Sequence, residues 1–225
     1  MARKSKQDAE QTRQAILDVA LQLFSCQGVA NTSLSEVARG AGVTRGAIYW
    51  HFANKKELLD DLWNQAILPY ESLAEIGKRT DEPDPMGHLR KIIEKLLLDV
   101  SQQGRARQVF QLWILDRGKL GQLDRNESMQ EQEQRRLAGL ERFEAIFNNA
   151  INQGQLPAAF DVRLGALALL SFVDGVIMTS MGLSQHFHAI TDVPRLASSF
   201  FHMLRSEKSA FIDTSHTAKN TSTHG

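Results

Sequence analysis

The sequence predicts an all-α protein, with an N-terminal three-helix domain of helix-turn-helix type and a larger C-terminal helical bundle. Three observations predict this. Apolar residues recur at intervals of three and four, not in alternation. Only 5 prolines stand in 225 residues, so long helices are seldom interrupted. Capping residues and glycines bracket the apolar stretches where helices should start and stop.

The first helix runs from about Asp8 to Gln27, with Ile16, Ala20, Leu23 and Phe24 on one face and Gly28 as its stop. Ser33, followed three residues later by Glu36, forms a capping box for a short second helix carrying Leu34, Val37, Ala38 and Ala41. Gly42 turns the chain. Thr44 caps a third short helix that ends near Tyr49, and Asn54 with Glu57 makes a second capping box before a long fourth helix from Lys55. Asp84 and Pro85 are an N-cap and a first helical position, opening a helix to about Ser101. Another helix spans about Arg105 to Asp116, and Gly118 to Asp124 is a loop. A polar-rich helix then runs from about Arg125 to Gln153, with Leu137, Leu140, Phe147 and Ile151 on one stripe and Gly154 and Pro157 as its stop. Two apolar helices, about 161–183 and 193–206, complete the bundle. The composition after Ser206 turns to Ser, Thr, His and Lys, which predicts a disordered polar tail. The predicted domains are therefore 1–56, 57–206 and the tail 207–225. The first boundary falls in the fourth helix, so the two folded domains are expected to be rigidly joined.

Composition narrows the function classes. Formal net charge is zero, yet residues 1–56 hold eight lysines and arginines against four acids. The front domain is basic and the remainder acidic, which suits an anionic partner for the front. The charged, polar N-terminus is unlike a signal peptide. The most apolar stretch, Leu164 to Met181, is broken by Ser171, Asp174 and Thr179 and reads as a buried helix, so no membrane partner is expected. Cys26 is the only cysteine. It fits a reducing cytoplasm and reads as a small buried residue more readily than as a redox switch. His186 and His188 do not share a helical face, so no metal site is expected. Phosphate loops, paired catalytic carboxylates and nucleophile elbows are missing from the sequence, and neither an enzyme nor a cofactor is expected.

The informative stretch is Thr32 to Lys56, where two short helices straddle Gly42. The second of them is the candidate recognition helix. Val43, Ile48 and Phe52 can pack inward, which turns Thr44, Arg45, Gly46, Tyr49 and Trp50 outward. Arginine pairs two-pronged with guanine in the major groove of double-stranded DNA, and Arg45 stands at the end that enters it. Gly46 lets the backbone approach DNA closely. Thr44, Tyr49, His51 and Lys55 are candidate phosphate contacts, Thr44 and Lys55 being at helix N-termini. Trp50 reads equally as a partial core residue. Ser33 is a further candidate, although capping alone accounts for it.

The run Val43-Thr44-Arg45-Gly46-Ala47-Ile48-Tyr49-Trp50-His51-Phe52, with Asn54-Lys55 behind it, resembles the signature of the TetR family of repressors. More narrowly it is similar to the AcrR-type branch that controls multidrug efflux pumps, as are Ala2-Arg3-Lys4 and Thr12-Arg13. The resemblance is close over residues 1–60. Beyond that it is carried by Asp84-Pro85, Gly154-Gln155-Leu156-Pro157 and Val173-Asp174-Gly175. It implies a homodimer of nine-helix chains, released from a palindromic operator when a drug-like small-molecule effector enters the C-terminal domain. Carried over by position, Ile92, Ile93, Leu96, Phe110, Ile114, Phe143, Val173 and Asp174 are candidate pocket residues. Ile67 stands where close relatives place an acid on the fourth helix.

Aromatic residues on separate helices, Trp63, Phe110, Trp113, Phe143, Phe147 and Phe172, can line a cavity or fill a core. Trp63 joins the pocket candidates on this ground. Asp174 in its apolar surroundings needs a partner, a proton or a polar cavity. It can attract a cationic drug or bond across a dimer interface. Gly165, Gly175 and Gly182 allow close approach of the last two helices, the expected dimer interface. Two rival readings stand beside the efflux repressor. One is a related regulator of a metabolic or stress operon that senses a metabolite. The other is a helical small-molecule binder without DNA function.

Overall fold

In the computed structural model, which describes residues 2–115, 125–206 and Phe211, every regular element among the described residues is helical. The side chains of residues 2–5, 113–115 and 125–132 are outside that description, as are the expected loop at Gly118 to Asp124 and most of the expected tail. The helices are α1 Ala2–Gln27, α2 Leu34–Gly40, α3 Arg45–His51, α4 Lys55–Gly77, α5 Pro85–Ser101, α6 Arg105–Leu115, α7 Arg125–Asn152, α8 Val162–Gly182 and α9 Ala189–Arg205. They group into two compact units, one of residues 1–69 and 103–130, the other of residues 70–102 and 131–225. The unit boundary in α4 falls beside Pro69, which has no amide hydrogen to give to the preceding turn.

The first unit closes around α1. Ile16, Leu17, Ala20, Leu21 and Phe24 form its buried stripe, and α2 adds Val37 and Ala38, α3 adds Ile48, and α4 adds Leu58 and Leu62. Val109 and Leu112 of α6 belong to the same core, so a helix distant in sequence completes the unit. The turns hold because their polar groups are satisfied locally. Ser33 and Glu36 form both bonds of the capping box. Gly42 takes a φ of 67° between α2 and α3, a left-handed conformation that costs glycine little. Thr32, almost fully buried, donates its hydroxyl hydrogen to the Gly28 carbonyl at 2.9 Å.

The second unit is built on α5. That helix packs most extensively on α9 and then on α8. Its N-cap Asp84 accepts from the Gly87 amide at 2.9 Å and from the Gln155 side-chain amide at 2.6 Å. Asn149 of α7 donates to the carbonyls of Gly77 and Arg79, at 3.0 and 2.7 Å. It thereby satisfies the Gly77 carbonyl at the end of α4 and ties down the turn that follows, where the Arg79 carbonyl also accepts from the Glu82 amide at 3.1 Å.

Five local expectations need correction or refinement. The α1 helix begins six residues earlier than the hydrophobic stripe suggests, at Ala2; its first turns are polar, and periodicity of apolar residues is silent there. The Asn54 carbonyl oxygen does accept from the Glu57 amide, but the Glu57 carboxylate reaches back to Ala53 at 2.6 Å, one residue upstream of the reciprocal position. Cys26 is exposed, not buried, because it lies on the side of α1 opposite Phe24's. Gly165 serves its own chain: a Cβ there would stand 2.5 Å from the Phe160 ring, so the close approach it permits is intramolecular. Phe211 interrupts the expected disordered tail. Its carbonyl accepts from the Asp161 amide at 2.6 Å, and its ring lies 6.1 Å from that of Phe160. The α8 helix is long and apolar enough to cross a membrane by length and composition alone. One face of it is buried within the second unit, while Leu164, Leu167 and Met178 are exposed.

Candidate nucleic-acid interface

A seven-residue helix presents one apolar and one polar face to its surroundings, and α3 uses both. Ile48 and the C-cap Phe52 are fully buried, and Val43 packs partly against the same core. That anchoring leaves Arg45, Gly46, Tyr49 and Trp50 exposed in one run. Trp50 is 74% exposed, which excludes the partial-core reading. Its ring meets His51 edge-on at 4.6 Å. Thr44 caps the helix by accepting from the Ala47 amide at 3.1 Å, and its hydroxyl hydrogen is free to point outward. A Cβ at Gly46 would meet nothing closer than the Thr44 hydroxyl at 3.9 Å. The Arg45 guanidinium rests 5.8 Å from the centre of the Tyr49 ring. A flat cation over an aromatic face loses less rotamer freedom when it pairs with a base edge.

Beside α3 lies an open cleft of about 570 Å³ lined by residues 30–35, Arg45, Tyr49, Ala53, Asn54 and Lys55. Ser33 is in it, yet its hydroxyl is engaged on both sides by Glu36. The Lys55 ammonium donates to the carbonyls of Val29 and Ala30, at 2.7 and 3.2 Å. Three N–H donors belong to an ammonium, so one is left for an anion in the cleft. Asn31 and Asn54 also line this cleft; the sequence marked Asn54 only as a cap and gave no signal for Asn31. Arg13 sits behind the recognition helix. Its guanidinium lies 4.8 Å from the Phe52 ring centre and pairs with Asp61. Burial lowers the His51 pKa from its ordinary value, and the Arg13 charge lowers it further. Both effects favour the neutral imidazole, against a smaller opposing pull from Glu10.

The pocket candidates separate into two groups. Trp63 and Phe110 meet in the first unit with ring centres 5.1 Å apart; the side chain of Ile114 is outside the described residues. In the second unit Ile92, Ile93 and Val173 are buried, while Leu96 and Phe143 are half-buried. Asp174 is not the buried carboxylate that its apolar sequence surroundings suggest: its side chain is 46% exposed, and its carboxylate accepts from Arg136 of α7. Phe172 stacks on Phe200, with ring centres 4.4 Å apart and an interplanar angle of 14°.

Comparison with known proteins places this geometry. Residues 16–62 match a family model described as bacterial regulatory proteins of the tetR family. Over 209 residues the chain is 34% identical to the probable helix-turn-helix transcriptional regulator ArpR of Pseudomonas putida, covering 91% of this chain and 97% of that one. Among solved structures, the complex of SmeT with triclosan, SmeT being the repressor of a multidrug efflux pump of Stenotrophomonas maltophilia, superposes with a TM-score of 0.77 at 26% identity. That match covers 90% of this chain and 96% of SmeT. NalD of Pseudomonas aeruginosa, the secondary repressor of the MexAB-OprM multidrug efflux pump, gives a TM-score of 0.70 at 30% identity. It covers 89% of this chain and 99% of NalD.

Proposed function

Because the chain belongs to the TetR family of bacterial regulatory proteins, we propose that it is a homodimeric cytoplasmic repressor of a multidrug efflux operon, released from a palindromic operator by a drug-like molecule. The observation that carries the DNA half is the exposed run Arg45, Gly46, Tyr49 and Trp50 on a helix whose other face is anchored by Ile48 and Phe52. Arg45 reads base edges, and Thr44, Tyr49, His51 and Lys55 hold phosphates around the adjacent cleft. The efflux half is supported by the likeness, across nearly the whole chain, to NalD and SmeT.

The proposed dimer forms through the exposed apolar side of α8 and α9, where Leu164, Leu167, Met178, Leu196 and Met203 lie open in the single chain. A two-fold axis there spaces two recognition helices by about 34 Å or a multiple of it, one or more turns of DNA. The effector binds among α5, α7 and α8, against Ile92, Leu96, Phe143 and Val173. Arg136 already neutralises Asp174. A neutral aromatic compound then needs no break of that pair, whereas a cationic drug must displace the guanidinium. Release requires the effector to bind the DNA-incompetent arrangement more tightly, since equal affinity shifts nothing.

Fluorescence anisotropy on labelled duplexes from upstream of the gene and its neighbours, with and without triclosan, tests the proposal. Salt-dependent, sequence-selective binding that triclosan weakens is expected. Selective binding that no drug in a chemically varied panel relieves would leave the repressor and assign its effector to metabolites. Equal affinity for random duplex, with no sequence enriched by selection from a random pool, would overturn the reading.

A further inference from the structure

Four polar side chains from three helices of the first unit close a hydrogen-bonded ring. Arg105, the first residue of α6, donates through one terminal nitrogen to the Asp18 carboxylate of α1. Through the other it donates to the Gln65 carbonyl oxygen of α4 at 3.0 Å. The Gln65 amide nitrogen donates to the Gln14 oxygen at 3.0 Å, and the Gln14 nitrogen donates to Asp18 at 2.9 Å. Arginine has only donors and an ionised aspartate only acceptors. The two charged ends therefore dictate which way both amides face, and the ring has one direction.

None of the four lines the cleft beside α3. All four are attached to what holds α3. Gln14 and Asp18 flank the buried residues Ile16 and Leu17 on α1, and Gln65 follows the buried Leu62 on α4. Those apolar residues share one core with Ile48, and Val109 and Leu112 of α6 belong to it too. We propose that Arg105 is a positioning residue for operator binding, setting through this ring the register of α1 and α4 beneath the recognition helix. The inference rests on the functional reading only in taking operator DNA as the partner.

The side chains of Arg105 and Asp18 are 37% and 51% exposed, so their contribution to global stability is small. Their contribution to α3 is geometric and acts on DNA affinity. Charge supplies the discriminating test. If the pair acted on DNA through its field, R105A would remove a cation and weaken binding, while D18A would remove an anion and tighten it. Positioning predicts the same sign for both. Operator affinity of the full-length R105A, D18A and R105A/D18A proteins is measured by anisotropy across a salt series.

Each single variant is expected to bind the operator about three- to fivefold more weakly, and the double variant no more weakly than either, because partners in one network are not additive. The salt slope should not change, since no phosphate contact is lost. Tightening by D18A, additive losses, a reduced salt slope or unchanged affinity would each overturn the proposal. Should the wild-type protein prefer no sequence over random duplex, the functional reading fails. Amide hydrogen exchange then judges the ring: R105A should exchange faster along residues 14–21 and 62–66, and unchanged exchange there would sink it.

Discussion

Arg45 tests the reading head at the scale of one side chain. It is exposed, and among the contacts described its guanidinium touches only the Tyr49 ring. Arg45→Ala should leave the melting temperature unchanged. Operator affinity should fall by about 1–3 kcal/mol per half-site, the value of a two-pronged base contact, and discrimination at one base position should relax. A filter-binding comparison of operator and point-substituted operators checks this. Asp84 sets a pH dependence. The Gln155 amide first, and the Gly87 amide after it, hold its carboxyl below the ordinary carboxylate range, with burial opposing them. A lowered pKa means that the unfolded chain binds the proton more readily. The stabilisation is therefore complete above about pH 4, the unfolded carboxylate value, and disappears as pH falls through the lower folded value. Asp84→Ala should cost about 1 kcal/mol at neutral pH, as lost N-caps do. Urea titrations should show that difference shrinking below pH 4; a constant difference from pH 7 to pH 3 would remove the carboxylate from the explanation.

Helix α8 is the element on which packing and assembly meet. Gly165 lies on its inner side, under the ring of Phe160, which itself packs on Phe147 with centres 5.4 Å apart. Gly165→Ala should destabilise the protein by about 1–2 kcal/mol, overpacking outweighing the gain in helix propensity. Gly139 of α7 is the control, because nothing stands within 4 Å of a Cβ placed there. Gly139→Ala should raise stability by up to about 1 kcal/mol. Opposite shifts in thermal melts are the expected pair; equal shifts would mean that Phe160 moves aside freely. The two short helices α2 and α3 work differently. Their seven residues each are too few to be stable alone in water, so the Ser33 and Thr44 caps define their starts while the core shared with α1 and α4 keeps them folded.

For the whole molecule, the exposed apolar side of α8 predicts assembly. Leu167 is 40% exposed in the single chain, and Leu167→Glu would bury two charges across a two-fold axis. Analytical ultracentrifugation should show a monomer in place of a dimer. Operator affinity should drop by about two orders of magnitude, because the second half-site contact is no longer intramolecular. A dimer that survives this change would move the interface elsewhere.

The starts of the capped helices and the exposed face of α3 were legible in the sequence because local chemistry decides them, while the polar start of α1 was not. A capping serine or threonine bonds within three residues, and the alternation of Val43, Ile48 and Phe52 with exposed Arg45 and Tyr49 follows from 3.6 residues per turn. The family likeness was legible for the same reason, since its residues lie in one continuous run. Tertiary structure alone decided the rest. It turned Trp50 outward, which depends on which face of α3 the neighbouring helices cover. It paired Asp174 with Arg136, 38 residues away. It also packed α6 into the first unit and joined Arg105 to Asp18, 87 residues away. Contacts over such separations follow from how helices dock, and periodicity along a single helix carries no record of its neighbour.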